Sequence, residues 1–214
     1  MTSADLVVNL AKRVVPPKLP RNPPITFTDE EARHLIHPHI DALVVELDIA
    51  NHIVIRNLID TGSSVDVLFV NTLKKMTLLD KSLQKVETPL LGFTRNIVEP
   101  TGTIVLDVTF RTLPKAVTIK VNILVVECPS VYHTIIRRPT LHCIRTITST
   151  YHLMIKFPTP NGIGELRGEQ GLSRECYELA TKFKTEQKVS GMIEVRTEPL
   201  KRPATQKPEG SGQE

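Results

Sequence analysis

Between Leu58 and Ser64 the chain reads Leu-Ile-Asp-Thr-Gly-Ser-Ser. An apolar run delivers one carboxylate, Asp60, into a hydroxyl-rich Thr-Gly turn, and after Val65 and Asp66 the chain is apolar again at Val67-Leu68-Phe69. An acid carried on the end of a buried strand and surrounded by hydroxyls is suited to general acid–base chemistry, because its neighbours set which protonation state it keeps. The plain alternative is a polar β-turn that only reverses the chain.

Other chemistry-bearing residues give weaker patterns. His34, His37 and His39 lie near Asp29 and Glu30, but they match no standard zinc spacing, and Pro38 directs His37 and His39 apart. A polar turn with one satisfied histidine is the better reading, and no metal is expected. Cys128, Cys143 and Cys176 form no CxxC pair, and an odd, widely spaced set reads as reduced thiols. Asn161-Gly162-Ile163-Gly164 is a turn and not a phosphate loop, since no helix carrying a Lys follows it.

The elements that must position Asp60 are mostly strands. Aromatics make up 4% of 214 residues and Trp is absent, so the core is built of Val, Ile and Leu, which favours strands. Sixteen prolines argue against a helix bundle. Ile25-Thr26-Phe27 reads as a short edge strand, and Thr28 to Glu31 as the start of a helix of about two turns. Residues 42–49 and 52–59 form a hairpin turned at Ala50-Asn51, with Glu46, Asp48, Arg56 and Asn57 marking a wet face. Val70, Leu73 and Met76 share one face of a short helix. Residues 86–111 read as a long hairpin entered at Pro89-Phe93 and returned at Thr103-Phe110. Strands follow at 116–126, 131–136 and 149–157, with Pro139 opening a helix between the last two. The sum is about nine short strands with two or three short helices. We expect a Pro-rich basic linker over 1–24, an all-β barrel over 25–170, a helix over 171–183 and a disordered polar tail over 184–214.

Two motifs 75 positions apart, Ile59-Asp60-Thr61-Gly62-Ser63-Ser64-Val65-Asp66-Val67-Leu68-Phe69 and Ile135-Ile136-Arg137-Arg138-Pro139-Thr140-Leu141, resemble the retropepsin-like aspartic protease of plant Ty3/gypsy retrotransposon gag-pol polyproteins. Residues 38–45, 89–93, 149–159 and 174–177 extend the likeness across 25–178. It implies a small closed acid-protease β-barrel that is half of a two-fold symmetric dimer. No other Asp is followed by Thr-Gly or Ser-Gly, so the second acid of a catalytic pair would be Asp60 of another copy. The resemblance makes Asp60 catalytic, gives Thr61, Gly62 and Ser63 the active-site turn and dimer lock, and makes Gly92, Phe93, Thr94, Arg95 and Asn96 a flap. Ile135, Ile136, Arg137 and Arg138 form the second, structural motif. The implied activity is peptide-bond hydrolysis of a polypeptide substrate, with no metal or organic cofactor.

The sequence departs from that family at two places. Arg137 stands where the family has Gly, in a space expected to be too tight for a long side chain and costly if its φ is positive. Arg95 replaces a small residue near the flap tip. Arg138 matches the family's structural Arg, for which Asp66 is a candidate ion-pair partner. A catalytically silent barrel serving as a dimerisation or peptide-binding module is therefore the alternative function.

The net charge of +4 sits in the tails, +3 on residues 1–24 and +2 on 182–214, leaving −1 on the remainder. That is weak support for specific nucleic-acid binding and leaves at most non-specific, salt-sensitive contact by the tails. With no signal-like or membrane-length apolar run, an intracellular, cytoplasmic protein is expected.

Overall fold

A computed structural model describes residues 24–78, 83–86, 90–91, 97–98 and 100–190; for 90–91, 97–98 and 183–190 only the backbone is described. The strands are β1 (Val44–Ile49), β2 (His52–Asp60), β3 (Val67–Phe69), β4 (Leu90–Leu91), β5 (Ile97–Val98), β6 (Pro100–Thr112), β7 (Lys115–Val126), β8 (Thr134–Arg137), β9 (Ile147–Ser149), β10 (Met154–Thr159) and β11 (Gly162–Arg167). The helices are α1 (Val70–Lys75), α2 (Arg138–Cys143) and α3 (Gln170–Ser190). Six strands close a barrel in the order β1-β2-β8-β3-β7-β6, sealed where β6 pairs with β1 at Asp48–Thr109 and Ile49–Val108. The expected all-β closed barrel with few helices is the architecture observed.

Alternation explains the barrel wall. Ile104, Leu106, Val108 and Phe110 on β6 and Val117, Ile119, Val121 and Ile123 on β7 are buried, while Val105, Asp107, Thr118 and Lys120 between them face outward. Phe110 meets Phe157 edge-on at 5.8 Å, which joins the barrel to the three-stranded sheet β11-β10-β9.

Several expected pairings are corrected. Thr103–Phe110 does not return against 89–93; it pairs with β7 along its whole length, and Leu90–Leu91 pairs with Ile97–Val98. Two alternating runs of more than ten residues either side of a Leu113-Pro114 corner offer far more pairing than a two-residue partner. The single strand expected over 149–157 is broken, because Leu153 has φ +48 and its N–H donates to Thr150 O at 3.2 Å, closing a turn between β9 and β10. Ile25–Phe27 forms no strand: the Lys156 ammonium sits 4.8 Å from the centre of the Phe27 ring and donates to Thr26 O at 2.7 Å. The helix expected from Thr28 is one 3-10 turn, Asp29–Ala32, with Thr28 N–H donating to the Glu31 carboxylate. The C-terminal helix runs Gln170–Ser190, longer than 171–183.

The β1–β2 hairpin sets the direction in which Asp60 points. Ala50 and Asn51 take φ +49 and +63, as a two-residue hairpin turn requires. Further along, Val45 faces Asn57 while Leu47 faces Val54, so β2 carries one residue more than β1 between those pairs. Arg56 absorbs the extra residue at φ +58. This bulge reverses the parity of β2: Val54 points inward before it, and Asn57 and Ile59 point inward after it. A one-residue slip flips every later side chain, so without the bulge Asp60 would face the apolar interior and Ile59 the solvent.

Asn57 is consequently not on a wet face, as expected, but fully buried. Its amide donates to Val45 O (2.9 Å) and Val54 O (2.5 Å), and its carbonyl accepts from Thr134 Oγ1 (2.7 Å). One polar side chain thus satisfies the carbonyls freed by the bulge and ties β2 to β8. Asn57→Ala should destabilise the fold by about 3 kcal/mol in denaturant titration, since buried partners are left unsatisfied. A loss below about 1 kcal/mol would show that water replaces the amide.

Candidate active site at the end of β2

β8 lies between β2 and β3, parallel to the first and antiparallel to the second. The chain therefore leaves β2 at Asp60, passes round the end of β8 and re-enters the barrel as β3. The turn between them is tied down at two points. Ser63 O accepts the backbone N–H of Arg138 (3.2 Å) and its Nε (3.1 Å). Asp66 accepts the N–H of Arg137 (2.6 Å) and the hydroxyl of Thr140 (2.8 Å).

Asp60 itself is partly exposed, its side chain at 30%. Oδ1 accepts the N–H of Gly62 and Oδ2 accepts the hydroxyl of Ser63, both at 2.8 Å. One donor on each oxygen fixes the carboxylate plane. Gly62 is needed for closeness: a Cβ there would stand 3.2 Å from Asp60 Oδ1 and push on the oxygen its own N–H holds. Thr61 and Gly62 are exposed, and Ser63 is half-buried.

The second motif lies directly alongside. Asp60 is the register partner of Arg137 in the parallel ladder, so both side chains leave the same face. Arg137 Nε lies 3.4 Å from Asp60 Oδ2, an ion pair without hydrogen-bond alignment, and Nη1 donates to Val65 O at 3.1 Å. The expected strain at this position is absent, because Arg137 is extended at φ −124, ψ −174. Nor is the guanidinium unpaired. Burial pushes its pKa down, opposed by the Asp60 and Asp66 carboxylates. Ile136 is fully buried in the core, and Ile135 packs against the smaller cluster of Val65, Val67, Phe69, Leu124 and Val126.

The proposed Arg138–Asp66 ion pair does not form. Both Asp66 oxygens already hold donors inside the protein, and Arg138 turns to the Ser63 carbonyl instead. Burial raises the Asp66 carboxyl to about 6, against the lowering effect of those two hydrogen bonds and of Arg137. Its burial had no signal in the sequence, since an acid between two apolar strand residues can equally face outward, as Asp107 does between Leu106 and Val108. Gly92, Phe93, Thr94, Arg95 and Asn96, the expected flap, lie outside the described residues; the strands that flank them, β4 and β5, pair with each other. Pro38 does not direct His37 and His39 apart, as expected: their rings lie 4.8 Å from each other, His37 stacks on Tyr151 at 4.9 Å and His39 Nε2 is 3.1 Å from Tyr151 O, while His34 is exposed. Among the described residues no three His, Cys, Asp or Glu converge as metal ligands, and no helix is long and apolar enough to cross a membrane.

No protein-family model and no curated protein matches this chain. Among solved structures it is similar to the retroviral protease-like domain of Ddi1 from Leishmania major, at 17% identity over 61% of this chain and 97% of that one, with a TM-score of 0.46. It is also similar to EIAV protease complexed with the inhibitor HBY-793, at 20% identity over 54% and 99% of the two chains, TM-score 0.37. A retropepsin-like aspartic protease from Rickettsia conorii matches at 14% identity over 57% and 80%, TM-score 0.36. At these identities, the roles of individual residues rest on the geometry of this chain.

The buried Asp66 gives this site a pH signature. The fold holds its proton more tightly than the unfolded chain does, so its contribution to stability is full below about pH 4 and is lost as pH rises through about 6. Between those values the native chain should lose up to about 3 kcal/mol relative to Asp66→Asn, measured by denaturant unfolding at each pH. Parallel stability curves for the two proteins would contradict this.

Proposed function

We propose that this chain is an aspartic-type endopeptidase that processes a retrotransposon polyprotein as a homodimer, with Asp60 from each copy forming the catalytic pair. The observation that carries the reading is the Asp60 carboxylate, fixed on both oxygens by Gly62 and Ser63 yet partly open to solvent at the barrel end. A lone acid so held is prepared to meet a second one, and the exposed Thr61 and Gly62 leave the turn free to do so. Thr61 would lock the two turns by hydrogen bonds, and residues 92–96 would close over the peptide.

Two carboxylates about 3 Å apart do not both ionise readily, so they share a proton and titrate as a pair. The ionised one takes a proton from water as its oxygen attacks the scissile carbonyl carbon. The protonated one gives its proton to the carbonyl oxygen, forming a neutral diol. The C–N bond then breaks as the protonated carboxyl gives its proton to the leaving amine and the ionised one takes the proton of one diol hydroxyl, which leaves a carboxylic acid and restores the singly protonated pair. The rigid β2 strand and the Asp66 anchor keep the acid in place through these steps.

One observation favours the second reading, a catalytically silent barrel: the Arg137 guanidinium occupies the neighbourhood where the shared proton would act. Cleavage of an unstructured polypeptide across pH 3 to 7 separates the two. The enzyme reading requires cleavage that a statine-type inhibitor blocks and that Asp60→Asn lowers by at least about 1,000-fold, as loss of an acting group does. A folded dimer with no cleavage at any pH would establish the silent module instead.

A further inference from the structure

Among the described residues Arg137 forms the ion pair with Asp60, and the proposed mechanism gives it no part. Its placement follows from the backbone, since residue 137 is the register partner of residue 60 and any side chain there leaves the sheet beside the acid. The guanidinium is held in place independently by its bond to Val65 O, and its own backbone N–H is fastened to Asp66. The charged groups facing it are Asp60 from β2 and Asp66 from the turn, while Arg138 at the start of α2 is engaged with Ser63 O.

In a symmetric dimer the pair of carboxylates brings two negative charges, and one shared proton ends their mutual repulsion by cancelling half of that charge. Two Arg137 side chains, each 3.4 Å from its own Asp60, would remove all of it without a proton. Coulomb interaction falls only as the inverse of distance, so attraction at this separation rivals repulsion between carboxylates about 3 Å apart. We infer that Arg137 is a built-in counter-ion that takes the place of the shared proton, holding both Asp60 carboxylates ionised and confining cleavage to strongly acidic conditions. This rests on the homodimeric reading above. Arg137 is thus a positioning residue that sets the proton inventory of the pair and touches no substrate.

The inference is tested on the full chain by following dimer dissociation with analytical ultracentrifugation from pH 4 to 7, for the native protein and for Arg137→Met, Arg137→Gly and Arg137→Lys. Association that must take up one proton weakens up to about tenfold for each unit of rising pH. The native chain and Arg137→Lys should show a flat dissociation constant, whereas Arg137→Met and Arg137→Gly should show that slope. The alkaline limb of the cleavage profile should also move up by about one to three pH units in the two neutral variants. Equal slopes in the native chain and Arg137→Met would overturn the inference. A dimer in which no variant cleaves would overturn the endopeptidase reading alone, since the slopes still decide the role of Arg137. A chain monomeric at every concentration would overturn both.

Discussion

The parallel ladder between β2 and β8 is the constraint on which the site depends. Parallel strands have no short connection, so the chain must travel from Asp60 through β3 to β7 before it can return as β8. The ladder is nonetheless fixed in register by Asn57, whose carbonyl accepts from Thr134 Oγ1 three positions before Asp60 meets Arg137. Once Asn57 stands opposite Thr134, the neighbour of the acid is decided. The bulge at Arg56 adds the second condition, because it selects the face on which Asp60 emerges.

Asp66 performs the complementary task from the other end of the turn. Its two oxygens gather the N–H of Arg137 and the hydroxyl of Thr140, which ties the start of α2 to the active-site turn. Burying a carboxyl is unfavourable unless it is satisfied, and this one is satisfied on both oxygens. Three groups then converge within a small volume: a partly exposed acid, a largely buried guanidinium and a buried acid. The Arg137 side chain enters that balance of charge without straining the backbone, which stays extended at that position.

How much of this was legible in the sequence depended on the range of the interaction. The β1–β2 hairpin was visible because alternation and the Ala50-Asn51 turn are local, and the amphipathic spacing of Val70, Leu73 and Met76 gave α1. The Asp60 turn was visible for the same reason. The partner of β6 was not, since nothing local says whether residues 103–110 pair backward or forward. β11 carries only a turn signal in the sequence, because Gly162 and Gly164 hide a strand that exists by pairing with β10. Asn57 looked like a surface residue because the bulge that turns it inward leaves no mark in composition. At Arg137 the sequence showed an unusual residue, but the identity of its partner, Asp60 and not an unpaired interior, came only from the register.

The register of β2 and β8 makes Asp60 and Arg137 one ion pair within a single chain, so the two should be energetically coupled. A double-mutant cycle on folding stability, using Asp60→Asn and Arg137→Met at neutral pH, measures that coupling directly. Contacting charges of this kind should give a stabilising interaction of at least about 0.5 kcal/mol. Additive effects of the two substitutions, within about 0.3 kcal/mol, would show that the guanidinium and the carboxylate act independently and would contradict the account.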